Sequence, residues 1–132
     1  MVFTTIDILW ITIAAALVFV MQPGFMCLES GLTRSKNSIN VAVKNLADFI
    51  LSVLSFWLLG YGIMFGQSYA GFIGADQYFF DCSCSGSLAA FFLFQAMFCG
   101  TATTIFSGAV AERMKFSSYL IIAFILSSFI YP

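Results

Sequence analysis

FFLFQAMFCGTATTIFSGAVAERMK, residues 91–115, divides its side chains into two kinds. On a helix, at about 100° per residue, Phe91, Phe94, Phe98, Ala102 and Ile105 share one face. Ala96, Cys99, Gly100, Thr103, Thr104 and Ser107 share the other. The first face is bulky and aromatic, the second small. Gly, Ser and Thr let two helix backbones approach inside a membrane, where close packing drives association. The small face is therefore expected to pack on neighbouring helices, which leaves the aromatic face to line something or to meet lipid.

Composition supplies the setting. Of 132 residues, 61% are hydrophobic and 8% charged, against about 25% charged in soluble domains, and the mean hydropathy is +1.01. These values belong to an integral membrane protein. The net charge of −1 comes with no basic run or stripe that could follow a phosphate backbone, so no nucleic-acid partner is expected. The chain has no histidine, no nucleophile and base at a recognisable spacing and no phosphate-cradling glycine loop, which argues against an enzyme with catalytic residues. Cys27 and Cys99 lie in apolar runs. Cys82 and Cys84 form a C-x-C pair in a polar loop, short of the ligand set of a zinc site, and no metal or cofactor is expected. In an oxidising compartment Cys82 or Cys84 could bond to another chain.

Four apolar runs place helices at about residues 6–28, 39–65, 88–111 and 116–132, an all-α polytopic bundle in which about 20 residues suffice for a crossing. No Lys or Arg precedes the first run, so it reads as a retained span rather than a cleaved signal. Pro23-Gly24 reads as a bend and close contact near its end. Residues 29–48, ESGLTRSKNSINVAVKNLAD, carry Arg34, Lys36 and Lys44. Asp48 follows Lys44 by four residues, so a local pair at the membrane edge is the expectation. Trp57 and Tyr61 are expected at an interface. Residues 67–87 read as a loop holding Asp76 and Asp81 and no basic residue. Basic residues cluster in the first and third connections. Positive charge stays cytoplasmic, which places the N-terminus and the 67–87 loop outside, and Arg34, Lys36, Arg113 and Lys115 inside.

That orientation sets Phe91, Phe94 and Phe98 in the outer third of the third helix. Aromatic faces attract cations by roughly 0.5–1 kcal/mol when exposed and about 2 when desolvated. A small cation arriving from outside could be held there. With 17 phenylalanines in the chain, lipid-facing or core packing is the competing reading.

The order FQAMFCGTATTIFSGAVAERMKF, residues 94–116, resembles the third helix of the ammonium transporter family (Amt/Mep/Rh). QPGFMCLESGLTRSKNSIN, residues 22–40, with Lys44-Asn45 and Asp48-Phe49 after it, resembles the junction of the first two helices in the Amt branch. The likeness runs along essentially the whole chain. It implies the first four helices of an eleven-helix fold, and ammonium or methylammonium as substrate. Phe94 would stand at an external recruitment site and Phe98 at the pore gate. Ammonium and potassium are alike in charge and size. Only ammonium can shed a proton, and a dry pore opposes the bare charge.

The resemblance further implies a homotrimer in the full-length form, a multi-pass location in the plasma membrane (the inner membrane in a bacterium), and a PII-type signal protein as a partner that many prokaryotic members have at the cytoplasmic face. Glu29, Arg34, Lys36, Asn37, Lys44, Asp48, Glu112 and Arg113 also fit the family pattern; ion pairs and caps that fix helix ends are the roles expected of them. The family's pore histidines, second gate phenylalanine and recruiting Trp and Ser belong to later helices. The chain is therefore expected to be an amino-terminal portion that does not conduct alone. An ammonium-sensing domain of a signalling protein and a non-conducting structural paralogue are the alternatives.

Overall fold

The computed structural model describes residues 3–69, 73–74, 78–80 and 85–132. Cys82, Cys84, Asp76 and Asp81 lie outside them, and with them the disulfide question. Helix α1 runs Thr5–Leu32. Its start is fixed by a capping box: the Asp7 amide donates to Thr4 Oγ1 at 3.3 Å and the Thr4 amide donates to Asp7 Oδ2 at 2.9 Å, relieving two of the donors a helix start leaves open. Pro23 lies inside this helix.

Helix α2, Ser38–Ser55, passes through a π-helical turn at Phe56–Gly60 into α3, Tyr61–Phe65. Two short strands follow, β1 (Ser68–Tyr69) and β2 (Ile73–Gly74), paired antiparallel where a plain loop was expected. Gly74 makes the hairpin fit, because any Cβ there would run into the Gly62 carbonyl. Helix α4 is Gly86–Val110, and α5, Phe116–Ile125, ends in a second π turn, Leu126–Ile130. Three stretches, Thr5–Leu32, Ser38–Phe65 and Gly86–Val110, are long and apolar enough to cross a membrane. Phe116–Ile130, where the fourth span was expected, is apolar but shorter than these three.

Helix α4 packs along α1 and α2 with the small face inward, as its residue sizes foretell. Ala96, Cys99, Gly100, Thr103, Thr104 and Ser107 are all buried. Gly100 sets the spacing: a Cβ there would lie 2.9 Å from a Phe49 ring carbon and 3.1 Å from Gln22 Nε2. At the hairpin end, Phe56, Tyr61, Phe80, Ala96 and Cys99 form a core flanked by Trp57, Phe65, Phe92 and Tyr131. Phe80 stacks on Phe92 with centroids 4.6 Å apart, and Trp57 Nε1 donates to the Phe80 carbonyl at 2.9 Å. Tyr61, expected at an interface, is thus a core residue at 2% exposure. The two π turns meet at Gly60, where a Cβ would sit 3.0 Å from the Ser127 carbonyl.

At the opposite end the connections 33–37 and 111–115 touch. This basic end and the aromatic hairpin end bound the bundle.

Candidate functional site

The outward side of α4 presents a two-ring step. Phe94 is half-buried and Phe98 is 40% exposed. Their ring centroids lie 4.8 Å apart at an interplanar angle of 62°, because side chains four residues apart stack along a helix face. Ala102 and Ile105 continue the same exposed strip. Phe91, expected with them, turns to Phe65 at 5.1 Å and joins the aromatic end. The stripe is therefore divided: one ring serves packing and two stand free of the bundle's core.

The inward side is polar, and here several sequence expectations change. Glu29 is no helix-end ion pair. Helix α1 runs on to Leu32, so Glu29 sits a turn inside it, at 6% exposure. Its Oε2 accepts from Asn45 Nδ2 at 3.0 Å and from Ser107 Oγ at 3.3 Å, while the Ser107 hydroxyl lies 2.8 Å from Asn45 Oδ1. The bare backbone of Gly108 makes room, since a Cβ there would be 3.0 Å from Glu29 Oε1.

Lys44 does not pair with Asp48. Its ammonium donates to the Met114 carbonyl at 3.0 Å and lies 5.9 Å from the Tyr119 ring centroid. The physical reason is burial. Lys44 is 5% exposed and Asp48 is 0% exposed, so the partners come from the packed helices rather than from an open helix surface. Asp48 faces Thr104, whose hydroxyl is 3.4 Å from Asp48 Oδ2 and 3.0 Å from Gln22 Oε1. Two polar layers result, Gln22/Asp48/Thr104 and Glu29/Asn45/Ser107, each built from α1, α2 and α4.

Gln22, Asn45 and Tyr119 received no role from sequence, and Thr104 and Ser107 only that of small packing residues. A signal existed in the spacing of polar residues within apolar runs: seven residues from Gln22 to Glu29, three from Asn45 to Asp48 and three from Thr104 to Ser107. Those intervals keep each pair on one helix face.

At the basic end Glu112 ties the two connections together. Its Oε1 accepts from the Arg34 amide at 3.0 Å and from Asn37 Nδ2 at 2.9 Å, and Arg34 Nε is 4.0 Å from Oε2. The Asn37 and Arg34 hydrogen bonds hold the Glu112 carboxyl below the ordinary carboxylate range. Its φ of 65° is a left-handed position usually given to glycine just past a helix end, at a cost on the order of 1–3 kcal/mol. Glu29, Arg34, Lys36, Asn37, Glu112 and Arg113 line a cavity of about 760 Å³ beside this clamp. The thiols of Cys27 and Cys99 are free, and Cys99 Sγ donates to the Ser127 carbonyl at 3.7 Å.

Comparison with known proteins adds the following. The model of the Ammonium Transporter Family matches residues 9–132. A putative ammonium transporter of Synechocystis, sll0537, is 64% identical over 129 residues, 98% of this chain and 24% of that protein. Ammonium transporter Amt2 of Archaeoglobus fulgidus is 41% identical over 96% of this chain and 27% of its own length. The chain thus spans about a quarter of these relatives. A solved Sensor Amt Protein superposes with a TM-score of 0.89 at 42% identity, covering 95% of this chain and 32% of that one.

Proposed function

The chain belongs to the ammonium transporter family, and we propose that it contributes one half of a route for ammonium or ammonia, with Phe94 in the recruiting site and Phe98 in the gate. Transporter relatives and apolar helices make it an integral membrane protein of a non-enzymatic family. The observation that carries the finer reading is the ring pair itself. Two phenylalanines 4.8 Å apart stand on the exposed side of a helix whose other side is locked into the bundle.

A ring face turned outward attracts a cation, and the ring beneath closes an apolar passage to a hydrated ion. A charge entering that passage loses its water. Burial favours the neutral form, so an ammonium ion that leaves its proton behind passes where potassium cannot.

In this reading the hairpin end faces outside and the basic end inside the plasma membrane, by the charge rule. Residues 1–132 form part of a transporter domain whose passage is completed by further helices, in a homotrimer. The cavity at the basic end would then open toward the cytoplasm, on the side where a PII-type protein would dock. Purified alone, the 132 residues should take up no methylammonium in liposomes.

Labelled methylammonium uptake by cells making a full-length transporter that contains residues 1–132 tests the two rings. Phe94→Ala should weaken apparent affinity about 2- to 30-fold, the equivalent of roughly 0.5–2 kcal/mol. Phe98→Ala should change the maximal rate instead. Unaltered uptake in both variants would overturn the assignment. A sensing role is the second reading, favoured by the likeness to the Sensor Amt Protein. Ammonium binding without uptake in the unaltered full-length protein would select it.

A further inference from the structure

Four helices bring polar atoms to Asp48 and leave several of them unsatisfied. Asp48 is 0% exposed, and its Oδ1 has no hydrogen-bond partner among the described residues. Its Oδ2 receives only the Thr104 hydroxyl at 3.4 Å, a hydroxyl with nearer acceptors in Gln22 Oε1 and the Gly100 carbonyl, both at 3.0 Å. Gln22 Nε2, from α1, and the Tyr119 hydroxyl, from α5, are buried without partners as well.

The charged and titratable groups facing Asp48 can be named helix by helix. They are Glu29 on α1, Lys44 on α2, Cys99 on α4 and Tyr119 on α5. Lys44 is the one cation among them, and its ammonium is engaged by the Met114 carbonyl and the Tyr119 ring. A bare carboxylate would therefore be buried with one long hydrogen bond and no counter-ion, and an unpaired buried charge costs several kcal/mol. A carboxylic acid needs no counter-ion. Its O–H could donate to the neighbouring Tyr119 oxygen, turning the orphan pair into a bonded one.

A line of groups leads away from this point. The Tyr119 hydroxyl makes no hydrogen bond among the described residues, yet it lies close enough to both Asp48 and Ser107 for each to act on it. The Ser107 hydroxyl lies 3.3 Å from Glu29 Oε2, and Glu29 lines the cavity at the basic end.

We propose that Asp48 is a proton-binding site inside the bundle, loaded from that cavity through Glu29, Ser107 and Tyr119. A proton taken from cavity water by Glu29 passes to Ser107 Oγ as the Ser107 hydroxyl proton moves to Tyr119 Oη, whose own proton moves to Asp48 Oδ1. Each hydroxyl ends with one hydrogen and Asp48 gains one; no electrons are transferred. The site lies behind α4 from Phe94 and Phe98, so the proton is held apart from the aromatic route.

Infrared spectroscopy of the protein in lipid bilayers tests this without ammonium, so the result stands or falls separately from the transport reading. The unaltered protein at neutral pH should show a protonated-carboxyl C=O band that shifts in heavy water and is missing in Asp48→Asn. Tyr119→Phe should keep the band but move it to higher frequency. Glu29→Gln should keep it while slowing its hydrogen–deuterium exchange at least tenfold. Absence of such a band in the unaltered protein, or its persistence in Asp48→Asn, would overturn the site. Should Asp48→Asn not fold, the Tyr119→Phe band decides: an unmoved frequency rejects the site. Unchanged exchange in Glu29→Gln would reject the route from the cavity.

Discussion

The two sides of α4 are built from the same twenty-five residues and obey opposite rules. On the outward side Phe94 and Phe98 touch each other, and their loss would leave the helix seated. On the inward side every position from Ala96 to Ser107 that faces α1 or α2 is small or hydrogen-bonded, and little can be altered without moving a helix. If the proposed role of the two rings holds, function can be changed on the first side at little structural cost. The second side sets the frame in which the first is held.

The largest effect should follow from filling the inward side. Gly100→Leu would drive a side chain into the Phe49 ring and the Gln22 amide, which already stand within 2.9 and 3.1 Å of where a Cβ would lie. Overpacking of this kind costs about 3 kcal/mol, and the variant should lose most of its folded yield in detergent. The outward counterpart is Phe98→Ala, which leaves α4 seated and should hold its midpoint of thermal unfolding close to that of the unaltered protein. Similar losses in both variants would erase the distinction between the two sides.

A smaller effect should come from the polar layer. Glu29→Ala removes the acceptor of Asn45 Nδ2 and strands that buried donor at about 1–3 kcal/mol, while the Ser107 hydroxyl keeps Asn45 Oδ1 at 2.8 Å. Glu29→Gln keeps an acceptor and should recover much of that in a denaturation series. If alanine proves as stable as glutamine, the layer contributes no stability through Glu29 and the comparison rests on packing alone.

The inward side of α4 was legible because residue size alone fixes which face another helix can approach. The all-α class followed from apolar run length in the same direct way. The pairing of Lys44 with Asp48 misled because an i, i+4 rule describes a helix seen in isolation. Tyr119 and Met114 reach Lys44 only through the packing of α5 and the turn before it, information that lies some seventy residues away. Glu29 misled through its boundary: the apolar run fades before it, yet the helix continues because α2 and α4 supply polar partners. The hairpin was hidden for another reason. Its strands are two residues each, too short for alternation to show, and they rest on a glycine contact with α3.

The smallest effect tests whether the basic end belongs with the frame or with the free surface. Glu112 is exposed, yet it joins two connections and holds a left-handed backbone. Its carboxyl titrates below the ordinary 4.5 because Asn37 and Arg34 favour the charged form. A depressed acid contributes stability that is fully present above its unfolded value and is lost as pH falls through the folded one. The unaltered protein should therefore lose part of its thermal stability on acidification below about pH 4.5, and Glu112→Gln should remove that part of the dependence while lowering stability at neutral pH. Glu112→Gly separates strain from the clamp, since glycine accepts the left-handed φ freely but holds nothing. If the glycine variant is the more stable at neutral pH, backbone relief outweighs the hydrogen bonds and Glu112 is a surface residue. If it is the less stable, the clamp outweighs the strain, and the basic end is part of what holds α1, α2 and α4 in register.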